Sequence, residues 1–226
     1  MAELILLRHA KSQWNLENRF SGWVDNPLSA DGISQIKGMA KKLRDKKIDV
    51  IYSSPLIRNQ ETISRLFVDL KGKYPIYFHL DAKLFTKRSN FISTNGSYVP
   101  VYLSQNLNEK YYGKLQGLNK SETIKKYGEE KVRLWRRSYK IAPPGGESLM
   151  TVCRRVIPFY KSNIQRDLKT GKNVLVVASH NSLRAIIKKI ENLSGDEIAN
   201  VEIPFGGIVV YEIGRDMKVS YKKELS

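Results

Sequence analysis

Glu3-Leu4-Ile5-Leu6-Leu7-Arg8-His9-Ala10 opens the chain with an apolar run of strand length that delivers a histidine into a polar turn. The same setting recurs far downstream, where Asn173-Val174-Leu175-Val176-Val177-Ala178 delivers Ser179-His180-Asn181. Short continuous apolar runs of this kind suit strands buried on both faces of a parallel sheet. In an open α/β sheet ligands bind outside the carboxyl ends of the strands, so two strand-end histidines can face one cleft. One can then act as a nucleophile and the other as its electrostatic partner.

Between and beyond these two runs, the pattern alternates between strand and helix. After the turn-rich stretch from Asn18 to Pro27, Ser29 or Asp31 can cap a helix to about Lys46, with Ile33, Ile36, Met39, Ala40 and Leu43 at helical spacing. Asp49 to Ser53 reads as a buried strand, Ile57 to Val68 as a helix and Pro75 to His79 as another strand. Between Leu84 and Leu107 periodicity fades, which predicts an irregular insertion near the cleft. Helices are expected over Lys120–Tyr127, Glu129–Tyr139, Ser148–Asp167 with a bend at Pro158, and Ser182–Leu193. Strand candidates Ile208–Ile213 and Val219–Tyr221 complete the chain. This alternation predicts an α/β fold, a three-layer α/β/α sandwich with a mainly parallel central sheet, in a single domain spanning residues 1–226.

The chain carries 39 Lys and Arg against 22 Asp and Glu, a formal net charge of +17, which favours anionic ligands. The basic residues run from Lys37 to Lys223 without the spacing of a known nucleic-acid module, so nucleic acid is not an expected partner. No apolar stretch approaches the ~20 residues of a membrane span and no signal-peptide order opens the chain, so no membrane partner and a cytoplasmic location are expected. Cys153 is the one cysteine, has no metal-ligand spacing around it and reads as a helix-packing thiol; no metal is implied.

A neutral imidazole can attack phosphorus and hold a phosphoryl group on nitrogen, and phosphoryl transfer otherwise needs alignment and stabilisation of charge. Arg8 beside His9, Arg58 at the start of a helix one strand away, and His180 can supply that charge. Ser12, Asn15, Ser21 and Gly22 can present donors to an oxyanion. Glu109 is the best candidate for the acid that protonates a leaving oxygen. From Lys110 to Lys140 there are ten Lys or Arg and three Glu, and Lys120 with Arg136 and Arg137 can hold a carboxylate or a second phosphate. Trp14, Trp23 and Trp135 read as packing residues, and His79 as structural.

Leu6 to Asn15, Phe20-Ser21-Gly22-Trp23-Val24-Asp25, Pro27-Leu28-Ser29, Leu107-Asn108-Glu109 through Lys120, Tyr127 to Glu130 and Trp135-Arg136-Arg137-Ser138-Tyr139 together resemble the cofactor-dependent phosphoglycerate mutases. Arg-His-Ala alone would mark only the wider histidine phosphatase superfamily. The resemblance implies a phosphoglycerate mutase-like fold and interconversion of 3- and 2-phosphoglycerate through a phosphohistidine primed by 2,3-bisphosphoglycerate. It implies His9 as the phosphorylated nucleophile, Glu109 as proton donor and acceptor, and His180, Arg8 and Arg58 around the transferring phosphoryl. Ser12, Asn15, Ser21 and Gly22 would line that pocket, while Tyr112, Lys120, Arg136, Arg137 and Asn181 would hold the rest of a small phosphorylated substrate. A homo-oligomer, dimer or tetramer, is implied as well.

The chain departs from the family pattern at Ala10, where Gly is usual, and at His180-Asn181-Ser182-Leu183-Arg184, which lacks the glycine between His and Asn. Pro204-Phe205-Gly206-Gly207 replaces Pro-Thr-Gly, and Ser226 comes soon after the last strand, without the tail of larger members. These departures keep two alternatives open. One is a histidine phosphatase acting on small phosphorylated metabolites; the other is a non-catalytic basic binding protein.

Overall fold

The computed structural model of the chain describes residues 1–70, 73–81 and 97–225. Strand β1 (Ala2–Arg8) is followed by a short helix α1 (Gln13–Leu16), then α2 (Ala30–Leu43), β2 (Val50–Ser53), α3 (Ile57–Asp69), β3 (Tyr74–His79) and β4 (Tyr98–Leu103). Helices α4 (Lys120–Tyr127) and α5 (Glu129–Arg137) precede α6 (Leu149–Phe159), a π-turn at Tyr160–Ile164 and α7 (Gln165–Lys169). The chain continues through β5 (Val174–Ala178), α8 (His180–Glu191), α9 (Gly195–Asn200), β6 (Ile208–Ile213) and β7 (Val219–Leu225).

The described strands form one seven-stranded sheet in the order β3-β4-β2-β5-β1-β6-β7. Pairings from β3 through to β1 are parallel, and β6 and β7 close one side antiparallel. Because strand side chains alternate between faces, β1 sends Leu4 and Leu6 to one side and Ile5 and Leu7 to the other. Leu4, Leu6, Tyr52, Val174 and Val176 pack beneath α6 and α8, while Ile5, Leu7, Ile51, Leu175 and Val177 pack beneath α2 and α3. Two apolar layers on one sheet give the expected three-layer sandwich. Full burial of each such aliphatic side chain contributes about 1.5–3 kcal/mol.

Ser29 caps α2 by accepting from the Gly32 N–H, as its position ahead of the apolar periodicity predicts. The long helix from Ser148 is interrupted as Pro158 leads one to expect. Proline lacks the N–H that would bond the preceding turn, and the helix passes into the π-turn directly afterwards.

The expected insertion over 84–107 needs correction in its second half. Residues 84–96 lie outside the described residues, but Tyr98–Leu103 is an interior strand paired to both β3 and β2. Pro100 breaks the ladder of donors, which is why a run containing it does not read as a central strand. The α8 boundary also moves, because the helix starts at His180 rather than Ser182. His180 and Asn181 therefore stand in the first helical turn. His79 ends β3 exposed to solvent, and Cys153 is buried under α8 as a packing thiol whose pKa burial raises to about 11. No described helix is long and apolar enough to cross a membrane.

Candidate active site

Register places the site. Arg8 is opposite Ala178, Val177 opposite Ser53, and Ser53 opposite Leu103, so the carboxyl ends of β1, β5, β2 and β4 lie side by side. Each end delivers one group: His9 after β1, His180 after β5, Arg58 in the first turn after β2, and Glu109 a short 3₁₀ turn after β4. The segment from Tyr112 to Arg137 adds Tyr112, Lys120, Arg136 and Arg137, and all eight groups line one cavity of about 210 Å³.

His9 is buried, with Nδ1 2.7 Å from the Ala10 carbonyl. That contact makes Nδ1 the protonated nitrogen and leaves the Nε2 lone pair for chemistry. Burial, followed by the charges of Arg58 and Arg8, holds the imidazole pKa well below its usual value, so the ring is neutral at physiological pH. Ala10 is fully buried and its N–H donates to Thr62 Oγ1 at 3.2 Å. A methyl in place of the usual hydrogen is accommodated in this turn by packing against the core.

Arg58 is buried, donating to the Gly22 carbonyl at 2.8 Å and the Val24 carbonyl at 3.1 Å, which ties the turn carrying Ser21 and Gly22 to the cavity wall. Arg8 donates to the Ile203 carbonyl at 2.6 Å, and its guanidinium lies 3.7 Å from the Phe205 ring centroid. Burial lowers both arginines to a pKa of about 10, still fully charged at neutral pH.

Glu109 is 8% exposed, and its Oε1 accepts from Asn181 Nδ2 at 2.7 Å and from the Lys110 N–H at 2.6 Å. Asn181 is itself held by the fully buried Arg184, which donates to Asn181 Oδ1 at 3.0 Å and so turns the amide nitrogen toward Glu109. Burial pushes the Glu109 pKa up, but the Asn181 hydrogen bond, His180, the Lys110 N–H and Arg58 together outweigh it and leave it lowered. Glu109 is therefore a carboxylate at neutral pH, a base rather than an acid.

His180 is likewise buried and its pKa falls to about 4, chiefly through burial, with Glu202 pulling the other way. Glu202 Oε2 lies 3.2 Å from Nε2 and covers it. The Arg8 Nε and Ser21 Oγ are buried without a protein partner. Buried polar atoms are nearly always satisfied, so two orphans around one cationic cavity mark where ligand oxygens belong. Lys120, lowered to about 8 by burial and then by Arg136 and Arg8, adds a cation on the far wall. The arrangement can hold a polyanion with one phosphorus before His9 Nε2.

Residues 4–79 and 89–222 match the model for the Histidine phosphatase superfamily (branch 1). The chain belongs to that superfamily. Among curated relatives, the 2,3-bisphosphoglycerate-dependent phosphoglycerate mutase of Protochlamydia amoebophila is 42% identical over 99% of this chain and all of the relative. The enzymes of that name from Gloeobacter violaceus, at 43% over 95% of each chain, and Chlamydia felis, at 45% over 93% of each, are equally similar. Solved structures sharing the fold include Bacillus stearothermophilus YhfR, with TM-score 0.73, 21% identity and coverage of 97% and 94%. They also include mycobacterial glucosyl-3-phosphoglycerate phosphatase with VO3, with TM-score 0.75, 20% identity and coverage of 99% and 97%.

Within this superfamily member, the cavity gathers every residue singled out from the sequence except Ser12. Ser12 is fully buried behind Asn15, and both its N–H and its Oγ donate to Asn15 Oδ1, at 3.3 and 2.8 Å. It orients a lining residue and does not itself line the cavity. Trp23 does more than pack, since its Nε1 donates to the Glu109 carbonyl at 2.6 Å. Sequence reasoning missed Arg19, Phe20, Glu202 and Phe205 in the lining. Arg19 and Phe20 adjoin Ser21-Gly22 and could have been found by extending that motif. Glu202, alone between Val201 and Ile203, carries no local signal.

Proposed function

We propose that this chain is a 2,3-bisphosphoglycerate-dependent phosphoglycerate mutase, a cytoplasmic enzyme working as one domain on a small phosphorylated acid. It would interconvert 3- and 2-phosphoglycerate by way of a phosphoryl group on His9. The observation that carries this reading is a neutral, tautomer-fixed His9 facing a cavity with two sets of cations. Arg8 and Arg58 act on the nucleophile itself, and Lys120, Arg136 and Arg137 are placed for the remaining anionic groups of the substrate. Identity of 42–45% to enzymes of that name over nearly the whole chain supports the same activity.

When bound, 2,3-bisphosphoglycerate supplies the phosphoryl group that charges His9; the orphaned Arg8 Nε and Ser21 Oγ suit its oxygens. In the forward transfer the Glu109 carboxylate takes the proton of the accepting hydroxyl as that oxygen attacks phosphorus and the P–N bond to His9 breaks. The carboxylic acid so formed returns the proton to the leaving oxygen when His9 Nε2 accepts the other phosphoryl. Arg8, Arg58 and His180 offset charge on the equatorial oxygens.

The test is an assay of purified protein with 3-phosphoglycerate, with and without 2,3-bisphosphoglycerate. The expected outcome is 2-phosphoglycerate formation that depends on the bisphosphate, and protein labelling by it that disappears in His9→Ala. Phosphate release without 2-phosphoglycerate would make the chain a phosphatase. Labelling that persists in His9→Ala would reject His9 as the nucleophile.

A further inference from the structure

The cavity contains two carboxylates, and only one has work in the transfer. Glu109 is buried, fixed by Asn181 and beside the nucleophile. Glu202 follows α9, its side chain is 54% exposed, and it spreads its two oxygens over two groups of the cavity wall. Oε1 pairs with the Arg137 guanidinium, and Oε2 sits 3.2 Å from His180 Nε2. A ligand phosphate or carboxylate bound there would present the same two oxygens to the same two groups. Glu202 is thus an anion built into the chain at the place a ligand anion would take.

We propose that Glu202 is a resident competitor for Arg137 and His180, which an entering anion must displace, and which therefore sets how strongly charged a ligand must be to hold the site. That the displaced ligand is a phosphoglycerate rests on the mutase reading; the competition itself rests on the geometry. Two features make displacement feasible. Glu202 lies in an extended segment, with Val201 at φ −69° and ψ 124°, so the side chain can swing to water without unwinding a helix. Its partners belong to different elements, Arg137 at the end of α5 and His180 at the start of α8, so releasing the carboxylate leaves both still anchored by their own helices. While Glu202 is in place, a small weakly held anion meets a carboxylate at this wall. A ligand with several anionic groups offsets that repulsion by contacts with Arg8, Arg58, Lys120 and Arg136 elsewhere in the cavity.

The experiment measures binding of inorganic phosphate by calorimetry to the wild-type chain, to Glu202→Gln and to Glu202→Asp, with mutase turnover assayed on the same preparations. Glu202→Gln removes the charge and keeps the shape; at a half-exposed pair the expected gain in phosphate affinity is about fivefold. Glu202→Asp keeps the charge and should stay within about twofold of wild type. Unchanged or weaker phosphate binding by Glu202→Gln would overturn the inference, because the carboxylate would then be indifferent to anions or would assist them by holding Arg137. Tighter phosphate binding in a preparation whose wild type lacks mutase turnover would uphold the competitor and count against the mutase reading alone. Because the side chain is half in solvent, all three proteins are expected to fold, which matching thermal midpoints would verify.

Discussion

At the scale of single residues, the site is organised by what burial does to imidazoles. His9 and His180 are both buried where other cations surround them, and both have pKa values pushed below the ordinary 6.5, His180 to about 4. A neutral His9 is what a nucleophile requires, but the arrangement has a cost in acid. The unfolded chain takes up these protons near pH 6.5 while the native state refuses them, so between pH 6.5 and about 4 unfolding binds protons and stability falls as pH falls. The sign is opposite to that of a histidine gaining an acidic partner. For His180 alone the loss by pH 5 is roughly 2 kcal/mol. Urea midpoints should therefore drop between pH 7 and pH 5, and His180→Asn should drop less; a midpoint flat over that range would refute the assignment. Both histidines could be read from the sequence because each ends an apolar run. Glu202 could not, since nothing local distinguishes a carboxylate that folds back onto Arg137 from one that points to water.

Elements decide whether Glu109 is where the chemistry needs it. It sits on no helix or strand, and the irregular stretch after β4 is held from outside by α6. Arg155 donates to the carbonyls of Asn106 at 2.8 Å, Asn108 at 2.9 Å and Glu109 at 2.9 Å, and pairs with Glu147 at 2.9 Å. Gly113, at φ +55°, allows the following turn to lie against Pro144 and Gly145, whose backbone leaves no room for a Cβ. Arg155→Met would leave the Asn106 carbonyl and Glu147 Oε1 unpaired, while the Asn108 and Glu109 carbonyls would keep only Ser182 Oγ and Trp23 Nε1, and Glu147 Oε2 only the Tyr111 N–H. The expected result is a loss of about 3–5 kcal/mol in stability together with a fall in kcat of tenfold or more at nearly unchanged KM. A change confined to KM would mean the clamp serves substrate binding instead. The helices and strands around this stretch were legible because amphipathic period and apolar runs belong to the element itself. β4 was not, since Pro100 hides it, and Arg155 was not, since its partners are backbone carbonyls remote in sequence.

Over the whole molecule, the +17 charge and the cavity act at different ranges. Much of the excess is exposed and spread out: Lys37, Lys41 and Lys42 on α2, Lys125 and Lys126 on α4, and Lys131 on α5 point to solvent on separate elements. Such charges make a broad positive field that speeds the approach of anions but contacts nothing specific. Arg58, in contrast, is buried and Arg8 partly buried in the cavity wall, where added salt screens them far less. Ionic strength should separate the two. Raising salt from about 0.02 M to about 0.5 M shortens the screening length from roughly 20 Å to roughly 4 Å, so kcat/KM for 3-phosphoglycerate should fall about tenfold while kcat stays within about twofold. Neutralising surface lysines remote from the cavity, as in Lys41→Gln with Lys42→Gln and Lys125→Gln with Lys126→Gln, should flatten that dependence and leave high-salt kcat/KM unchanged. If the quadruple variant kept the full salt dependence, attraction would come from the cavity alone and the charged surface would have no part in catalysis.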